Sequence, residues 1–88
     1  MKEITFTVKD PLGLHARPAG LLVKLAQGFE SEGTLTLERS GKSASVKRLL
    51  AVMSLGIKGG DRISLLLQGQ DEEHAARAIE QWLTEHLG

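Results

Sequence analysis

The chain has 88 residues, of which 11 are basic, 11 are acidic and none is cysteine. This length supports one small hydrophobic core, so we expect a single domain spanning residues 1–88. The zero formal net charge excludes a strong overall attraction to nucleic acid or to an anionic membrane, and the absence of cysteine excludes disulfides and thiolate metal sites.

The N-terminal half predicts a strand, a turn and a helix. Ile4, Phe6 and Val8 alternate with polar residues, which is the pattern of a half-buried strand. Residues 10–13, Asp-Pro-Leu-Gly, have the composition of a turn. From residue 16 onward the apolar residues recur at helical spacing, and Gly28 is placed as the C′ residue that ends this helix.

The C-terminal half predicts a hairpin, a short helix, a strand and a final helix. Residues 34–38 and 42–46 alternate around the turn sequence Arg-Ser-Gly, and a short helix is expected over about 47–53. Residues 61–67 form the last predicted strand, and Asp71 is placed to cap the final helix. The order is β-α-β-β-α-β-α, and strands that are apolar on one face need a cover of helices. We therefore expect a two-layer α+β fold with one open sheet face.

Residues 13–18, Gly-Leu-His-Ala-Arg-Pro, lie where the first strand pattern gives way to the helical pattern. A helix N-terminus offers N–H groups without helical acceptors and the positive end of the helix dipole, here at Ala16 and Arg17. Arg17 adds a planar fork that suits phosphate oxygens. His15 adds an imidazole, a side chain that can be neutral and nucleophilic near pH 7. The junction therefore predicts a site where a histidine carries a phosphoryl group.

Two motifs resemble one known family over essentially the whole chain. Leu-His-Ala-Arg-Pro-Ala at residues 14–19 and Leu-Leu-Ala-Val-Met-Ser-Leu-Gly-Ile at residues 49–57 are similar to the HPr family. Its members are the histidine-containing phosphocarriers of the bacterial phosphoenolpyruvate:sugar phosphotransferase system. The resemblance implies an open-faced sandwich in which a four-stranded antiparallel sheet carries all three helices on one side.

The resemblance also implies the site chemistry and the partners. His15 is then the phosphorylated nucleophile, Arg17 stabilises the phosphate, and the N–H groups of Ala16 and Arg17 contact it. The phosphoryl group comes from phosphorylated enzyme I and goes to IIA domains, with no cofactor or metal held by the chain itself. His74 and His86 are too far apart in sequence for a helical metal site.

The first helix and the short helix are implied to form the surface that docks enzyme I and the IIA domains. A short helix cannot bury every one of its apolar side chains, so some of them should be exposed beside His15. Met suits a surface that fits several partners. The candidate partner-binding residues are Leu21, Lys24, Gln27, Leu49, Met53 and Leu55.

One position departs from the family pattern. In the branch of the family regulated by a serine kinase, a serine begins the short helix just before its apolar run. Here Arg48 stands at that place, preceded by Lys47, and Ser45 and Ser54 are displaced from it. The family's serine switch is therefore not expected at this position.

Two alternatives to a sugar phosphocarrier stay open. An HPr-like regulatory module of a nitrogen-linked or single-sugar branch would keep His15 and use its phosphorylation to control partner proteins. A small nucleic-acid-binding α+β domain is disfavoured by the zero net charge and by only three aromatic residues.

The N-terminal alternation differs from a signal peptide, and no apolar run approaches the roughly 18 residues of a membrane span. We expect a cytoplasmic monomer without membrane insertion, either free-standing or part of a longer multiphosphoryl protein.

Overall fold

The computed structural model describes all residues from Met1 to Gly88. The elements follow the predicted order β-α-β-β-α-β-α. They are β1 (Lys2–Thr7), α1 (Ala16–Gln27), β2 (Glu32–Leu37), β3 (Lys42–Ser45), α2 (Leu49–Ser54), β4 (Arg62–Gln68) and α3 (Glu72–Leu87).

The four strands form one antiparallel sheet in the order β1-β4-β2-β3. The central strand β4 pairs with both β1 and β2, so that Leu65 lies opposite Ile4 on one side and Leu35 on the other. All three of these side chains are buried, because residues at the same level of a sheet point to the same face. The apolar alternation in the sequence therefore sets the register of the sheet.

The three helices cover this apolar face, as the resemblance implied. Helix α3 packs against β1 and β4, and α1 packs beside α2 and α3. Twenty buried apolar residues form one cluster between the two layers. The opposite face of the sheet is polar: the hydroxyls of Thr36 and Ser43 lie 2.8 Å apart, and the Arg62 guanidinium donates to the hydroxyl of Thr5 at 3.2 Å.

Both helices near the predicted site have ends that differ from the sequence prediction. Helix α2 begins at Leu49, two residues later than expected, because Arg48 is extended at φ −117°, ψ 109°. The Ser45 hydroxyl accepts the N–H of Lys47 at 3.3 Å in a local turn that precedes the helix. Gly28 ends α1 as predicted, but it is the C-cap residue, with right-handed angles of φ −75° and ψ −7°, and not the C′ residue.

Asp71 precedes α3 as predicted, but its side chain does not cap that helix. Its carboxylate instead accepts the N–H of Glu30 at 2.8 Å and the N–H of Ser31 at 2.9 Å, together with the Ser31 hydroxyl. These hydrogen bonds lower the pKa of Asp71 below its usual range, with the Ser31 hydroxyl as the largest cause. Asp71 therefore fastens the connection between α1 and β2 to the start of α3.

We expect Asp71→Asn to weaken the acid sensitivity of folding. A carboxyl group whose pKa is lowered by folding stabilises the native state above its unfolded pKa of about 3.9, and this stabilisation is lost as pH falls through the folded value. Asn removes that ionisation and places an amide N–H₂ against donors that need an acceptor. The free energy of unfolding, measured from pH 7 to pH 3, should be lower for the variant at pH 7 and should fall less steeply below pH 4.

Glu85→Gln is a suitable control for this experiment, because Glu85 is an exposed carboxyl group on α3 that forms no ion pair. Its unfolding curve should match that of the unaltered chain at every pH. An Asp71→Asn profile parallel to that of the unaltered chain would show that Asp71 does not contribute to acid sensitivity.

None of the three helices is long and apolar enough to cross a lipid bilayer.

Candidate functional site

His15 is the N-cap residue of α1, with extended backbone angles of φ −81° and ψ −176°. Its carbonyl oxygen accepts the N–H of Ala19 at 2.9 Å, which is the first helical hydrogen bond. Its side chain makes no capping hydrogen bond and is exposed. The backbone of His15 is thus fixed by the helix, while the imidazole is free to react with a group from outside.

The loop before His15 is held by close backbone packing against the segment after α2. Gly13 has φ +67°, a conformation that favours glycine, and the N–H of Leu14 donates to the carbonyl of Ile57 at 3.1 Å. A Cβ atom at Gly13 would overlap the Ile57 carbonyl oxygen and would lie 2.6 Å from the Cα of Lys58. A Cβ atom at Gly59 would lie 2.7 Å from the carbonyl oxygen of Asp10. The two glycines permit this approach, which positions the N-terminus of α1.

Arg17 lies in the first turn of α1, two residues after His15, and its exposed side chain forms no ion pair. No acidic residue occurs in this turn to compete for it. The N–H groups of Ala16 and Arg17 precede the first residues that can bond within the helix, and Pro18 is buried and has no N–H. Two amides and one guanidinium are therefore available near His15 for an anion.

Exposed apolar side chains occur on both helices, and we call the surface formed by Leu21, Leu49, Leu50 and Met53 the leucine surface. Leu21 on α1 is 47% exposed, while Leu49 and Met53 on α2 are each 39% exposed. Lys24 and Gln27 are also exposed on α1, as predicted. The exposure of these five candidates is confirmed.

The expected exposure of Leu55 is wrong. Leu55 caps the C-terminus of α2, where its N–H donates to the carbonyl of Val52 at 3.1 Å, and its side chain is only 7% exposed within the core cluster. Leu50 is instead 82% exposed and was not among the candidates. It lies three residues before Met53, so helical spacing places the two on the same face and could have identified it.

Two side chains, one at the end of α1 and one just before α2, fasten the two helices together. The amide Nε2 of Gln27 donates to the carbonyl of Lys47 at 2.9 Å, and the ammonium of Lys47 donates to the carbonyl of Phe29 at 2.8 Å. These bonds join the end of α1 to the approach to α2. They fix how the two parts of the leucine surface lie relative to each other.

The zero net charge of the chain conceals an uneven distribution. Residues 15–28 contain Arg17 and Lys24 and no acidic residue, and residues 46–58 contain three further cations and no acidic residue. Helix α3 has the opposite balance, with four glutamates and only one arginine. Because α1 and α2 pack side by side, the fold brings together two segments that carry five cations and no acidic residue.

A two-layer α+β sandwich with an exposed histidine at the start of its first helix, and an arginine without an ion pair two residues later, is the arrangement that the resemblance to small phosphocarrier proteins implies. Comparisons with known proteins agree with this class. The sequence profile of the family described as the PTS HPr component phosphorylation site matches residues 2–85. The chain therefore belongs to the HPr family, whose members are phosphocarriers of the phosphotransferase system.

One similar protein and two similar structures illustrate how far the match extends. The phosphocarrier protein HPr of Mycoplasma pneumoniae is 44% identical over 86 residues, which cover 98% of this chain and 97% of that protein. A crystal structure of HPr from Thermoanaerobacter tengcongensis superposes with a TM-score of 0.87 at 39% identity, covering 97% of this chain and 92% of that one. A structure of an HPr dimer from the same organism has a TM-score of 0.76 at 36% identity, covering 100% and 99%.

Proposed function

We propose that His15 accepts a phosphoryl group from phosphorylated enzyme I and passes it to IIA domains of sugar permeases. The exposed imidazole of His15, free of any side-chain hydrogen bond at the N-cap of α1, is the observation that carries this proposal. A ring nitrogen with no internal partner is available for attack on phosphorus. The direct test is incubation with enzyme I and phosphoenolpyruvate, in which intact-mass spectrometry should show an acid-labile gain of one phosphoryl group.

The transfer exchanges one bond to phosphorus for another. A lone pair on a ring nitrogen of neutral His15 forms the new P–N bond, while the bond between phosphorus and the donor atom breaks and leaves its electron pair on the donor. The second ring nitrogen of His15 loses its proton, and the donor group takes up one proton through solvent. The reverse sequence at a IIA domain restores neutral His15. Each molecule of the chain therefore carries one phosphoryl group per transfer.

Arg17 and the N–H groups of Ala16 and Arg17 hold the phosphoryl group without enclosing it. Charge-assisted hydrogen bonds to the phosphate oxygens stabilise the charge that the transfer brings to the site. A carrier that bound phosphate by many such bonds would stabilise its phosphorylated form and slow onward transfer. One guanidinium and two amides on an exposed surface suit a group that must leave again.

We expect Arg17→Lys to slow phosphoryl transfer by roughly ten-fold, although the positive charge is kept, because lysine lacks the planar fork that bonds two oxygens at once. The rate of His15 phosphorylation by enzyme I, measured by rapid quench, checks this. Arg77→Lys on α3 makes the same chemical change away from the site and should leave the rate unchanged. An unaltered rate for Arg17→Lys would remove Arg17 from the mechanism.

The proposed docking site for enzyme I and the IIA domains consists of the leucine surface together with Lys24 and Gln27. Its apolar side chains supply contact area, and Met53 adapts to partners of different shape. The cations around it favour partners with an acidic rim, whose charge would accelerate encounter. Leu55 contributes by packing in the core beneath this surface.

We further propose that the whole chain acts as one domain and as a monomer, needs no cofactor or metal of its own, and does not act as an enzyme with turnover.

Arg48 has no hydroxyl group, so phosphorylation of a serine at the start of α2 is not available to this chain. The nearby Ser45 is half-buried, and its hydroxyl accepts the Lys47 N–H. Regulation by a serine kinase would then have to act elsewhere.

A further inference from the structure

Asp61 closes the turn of residues 58–61, which leads into β4 and which we call the Asp61 turn. The N–H of Asp61 donates to the carbonyl of Lys58 at 3.0 Å, and one oxygen of its carboxylate accepts the N–H of Lys58 at 2.8 Å. Each carboxylate oxygen also accepts a hydrogen bond of 3.1 Å from the guanidinium of Arg39, in the turn between β2 and β3. One carboxylate, in a side chain only 13% exposed, therefore ties the two turns together.

The guanidinium of Arg39 sets the orientation of this carboxylate. It donates from Nε and from Nη2, one bond to each oxygen, which is the fork geometry that a lysine does not provide. The bond from Arg39 is the largest cause that lowers the pKa of Asp61, and the bond from the N–H of Lys58 is the second. Asp61 is therefore ionised at neutral pH, and both of its oxygens act as acceptors.

The loop that leads to the site histidine is hydrogen-bonded to the Asp61 turn at its start and to the residue before that turn at its end. At the start, the carbonyl of Val8 accepts the N–H of Gly60 at 2.7 Å. At the end, the N–H of Leu14 donates to the carbonyl of Ile57 at 3.1 Å. The N-cap of α1 follows Leu14 directly, so a shift of the turn moves the backbone that carries the imidazole.

We propose that Asp61 is a positioning residue for phosphoryl transfer at His15 and that Arg39 acts through it. This inference rests on the proposed function and deepens it. The carboxylate of Asp61 is occupied by its two donors, so it acts by fixing the Asp61 turn and, through that turn, the start of α1. A small displacement of a reacting atom lowers the rate of transfer, while the exposed side chains of the leucine surface still bind the partner. The effect therefore falls on the rate and not on the affinity.

The test is single-turnover transfer from phosphorylated enzyme I, followed by rapid quench over a range of carrier concentrations. The concentration dependence separates the limiting rate from the half-saturating concentration. Asp61→Ala should lower the limiting rate by roughly five- to ten-fold and leave the half-saturating concentration within about two-fold. Asp61→Asn keeps an oxygen that accepts the N–H of Lys58, so its limiting rate should lie between those of Asp61→Ala and the unaltered chain.

Asp71→Ala is the matched control, because the Asp71 carboxylate also accepts from the backbone and from a side chain, but at the connection between α1 and β2. It should lower the free energy of unfolding without changing the limiting rate. Hydrogen exchange at the Leu14 N–H, taken relative to the amides of β4, should accelerate in Asp61→Ala and not in Asp71→Ala.

Arg39→Ala tests whether Arg39 acts through Asp61. By itself it should lower the limiting rate by roughly two- to three-fold, and added to Asp61→Ala it should lower the rate no further. The Arg39 side chain is 56% exposed, so this variant should fold, and it carries the test if Asp61→Ala does not fold.

Each outcome decides the inference. An unchanged limiting rate in Asp61→Ala, or in Arg39→Ala where Asp61→Ala does not fold, overturns it. An equal fall in Asp71→Ala overturns it because the effect would then be one of general stability, and a change confined to the half-saturating concentration overturns it because Asp61 would then act in partner binding. Additive losses in the double variant overturn the part assigned to Arg39. Failure of the unaltered chain to be phosphorylated by a competent enzyme I overturns the proposed function and this inference together, whereas normal transfer with unchanged variants overturns only the inference.

Discussion

We expect His15→Ala to abolish phosphorylation of the chain by enzyme I and phosphoenolpyruvate. Alanine has no ring nitrogen to form the P–N bond, and no neighbouring side chain can replace it, because His74 and His86 both lie on α3. Intact-mass spectrometry should therefore show no added phosphoryl group, where the unaltered chain gains one. The variant should fold normally, since the His15 side chain is exposed and makes no hydrogen bond that stabilises the helix.

His86→Ala is the control for this experiment. His86 is also exposed, but its ring stacks on Trp82 with centroids 4.6 Å apart, and its Nδ1 lies 3.0 Å from the Trp82 carbonyl oxygen. The His86→Ala variant should be phosphorylated at His15 as fast as the unaltered chain. An acid-labile phosphoryl group that persists in His15→Ala and disappears in His86→Ala would place the acceptor on α3 instead.

Gly13→Ala should lower the free energy of unfolding by about 3 kcal/mol. Two effects add at this position: the positive φ of 67°, which disfavours a residue with a side chain, and the overlap of a Cβ atom with the backbone at Ile57 and Lys58. Relief of the overlap requires the loop before His15 to move away from that segment. Phosphorylation at His15 should slow as well, because the start of α1 would lose this support.

Gly41→Ala separates the two effects. Gly41 has a similar φ of +75°, but a Cβ atom there meets nothing within 4 Å. Gly41→Ala should lower the free energy of unfolding by only about 1 kcal/mol, the usual strain of a left-handed alanine, and should leave phosphorylation unchanged. Chemical denaturation of both variants checks the difference. Equal losses would show that the conformation of Gly13, and not its contact with the segment after α2, sets its contribution.

Sequence reasoning was most successful where the determinants are local. The alternation of Ile4, Phe6 and Val8 and the helical spacing after residue 16 each depend on neighbours within a few positions, and both elements formed where they were expected. The order of elements and the position of His15 at a helix start follow from the same local patterns. The side of the sheet on which the helices lie came from the family resemblance, since periodicity alone leaves it open.

Two of the errors, at Asp71 and at Leu55, occur where a residue's partner is distant in sequence. Asp71 has the sequence context of a helix cap, but its carboxylate binds Ser31, 40 residues away. Leu55 belongs to the same apolar run as Met53, and only the packing of α2 decides that Leu55 is buried while Met53 is exposed. Burial within a short helix depends on its rotation against the core, which a run of apolar residues does not specify.

The sequence by itself determined which elements form, that the chain carries a histidine and an arginine at the start of a helix, and that no thiol chemistry is available to it. These features follow from residue type and from periodicity over a few positions. The tertiary structure alone decided how the loop before His15 is held against Ile57 and which leucines face solvent. It also brought α1, which carries Arg17 and Lys24, beside α2, whose flanking segments carry three further cations, in a chain with no net charge. Such features depend on contacts between segments far apart in the chain, because packing and hydrogen bonding act through space and not along the sequence.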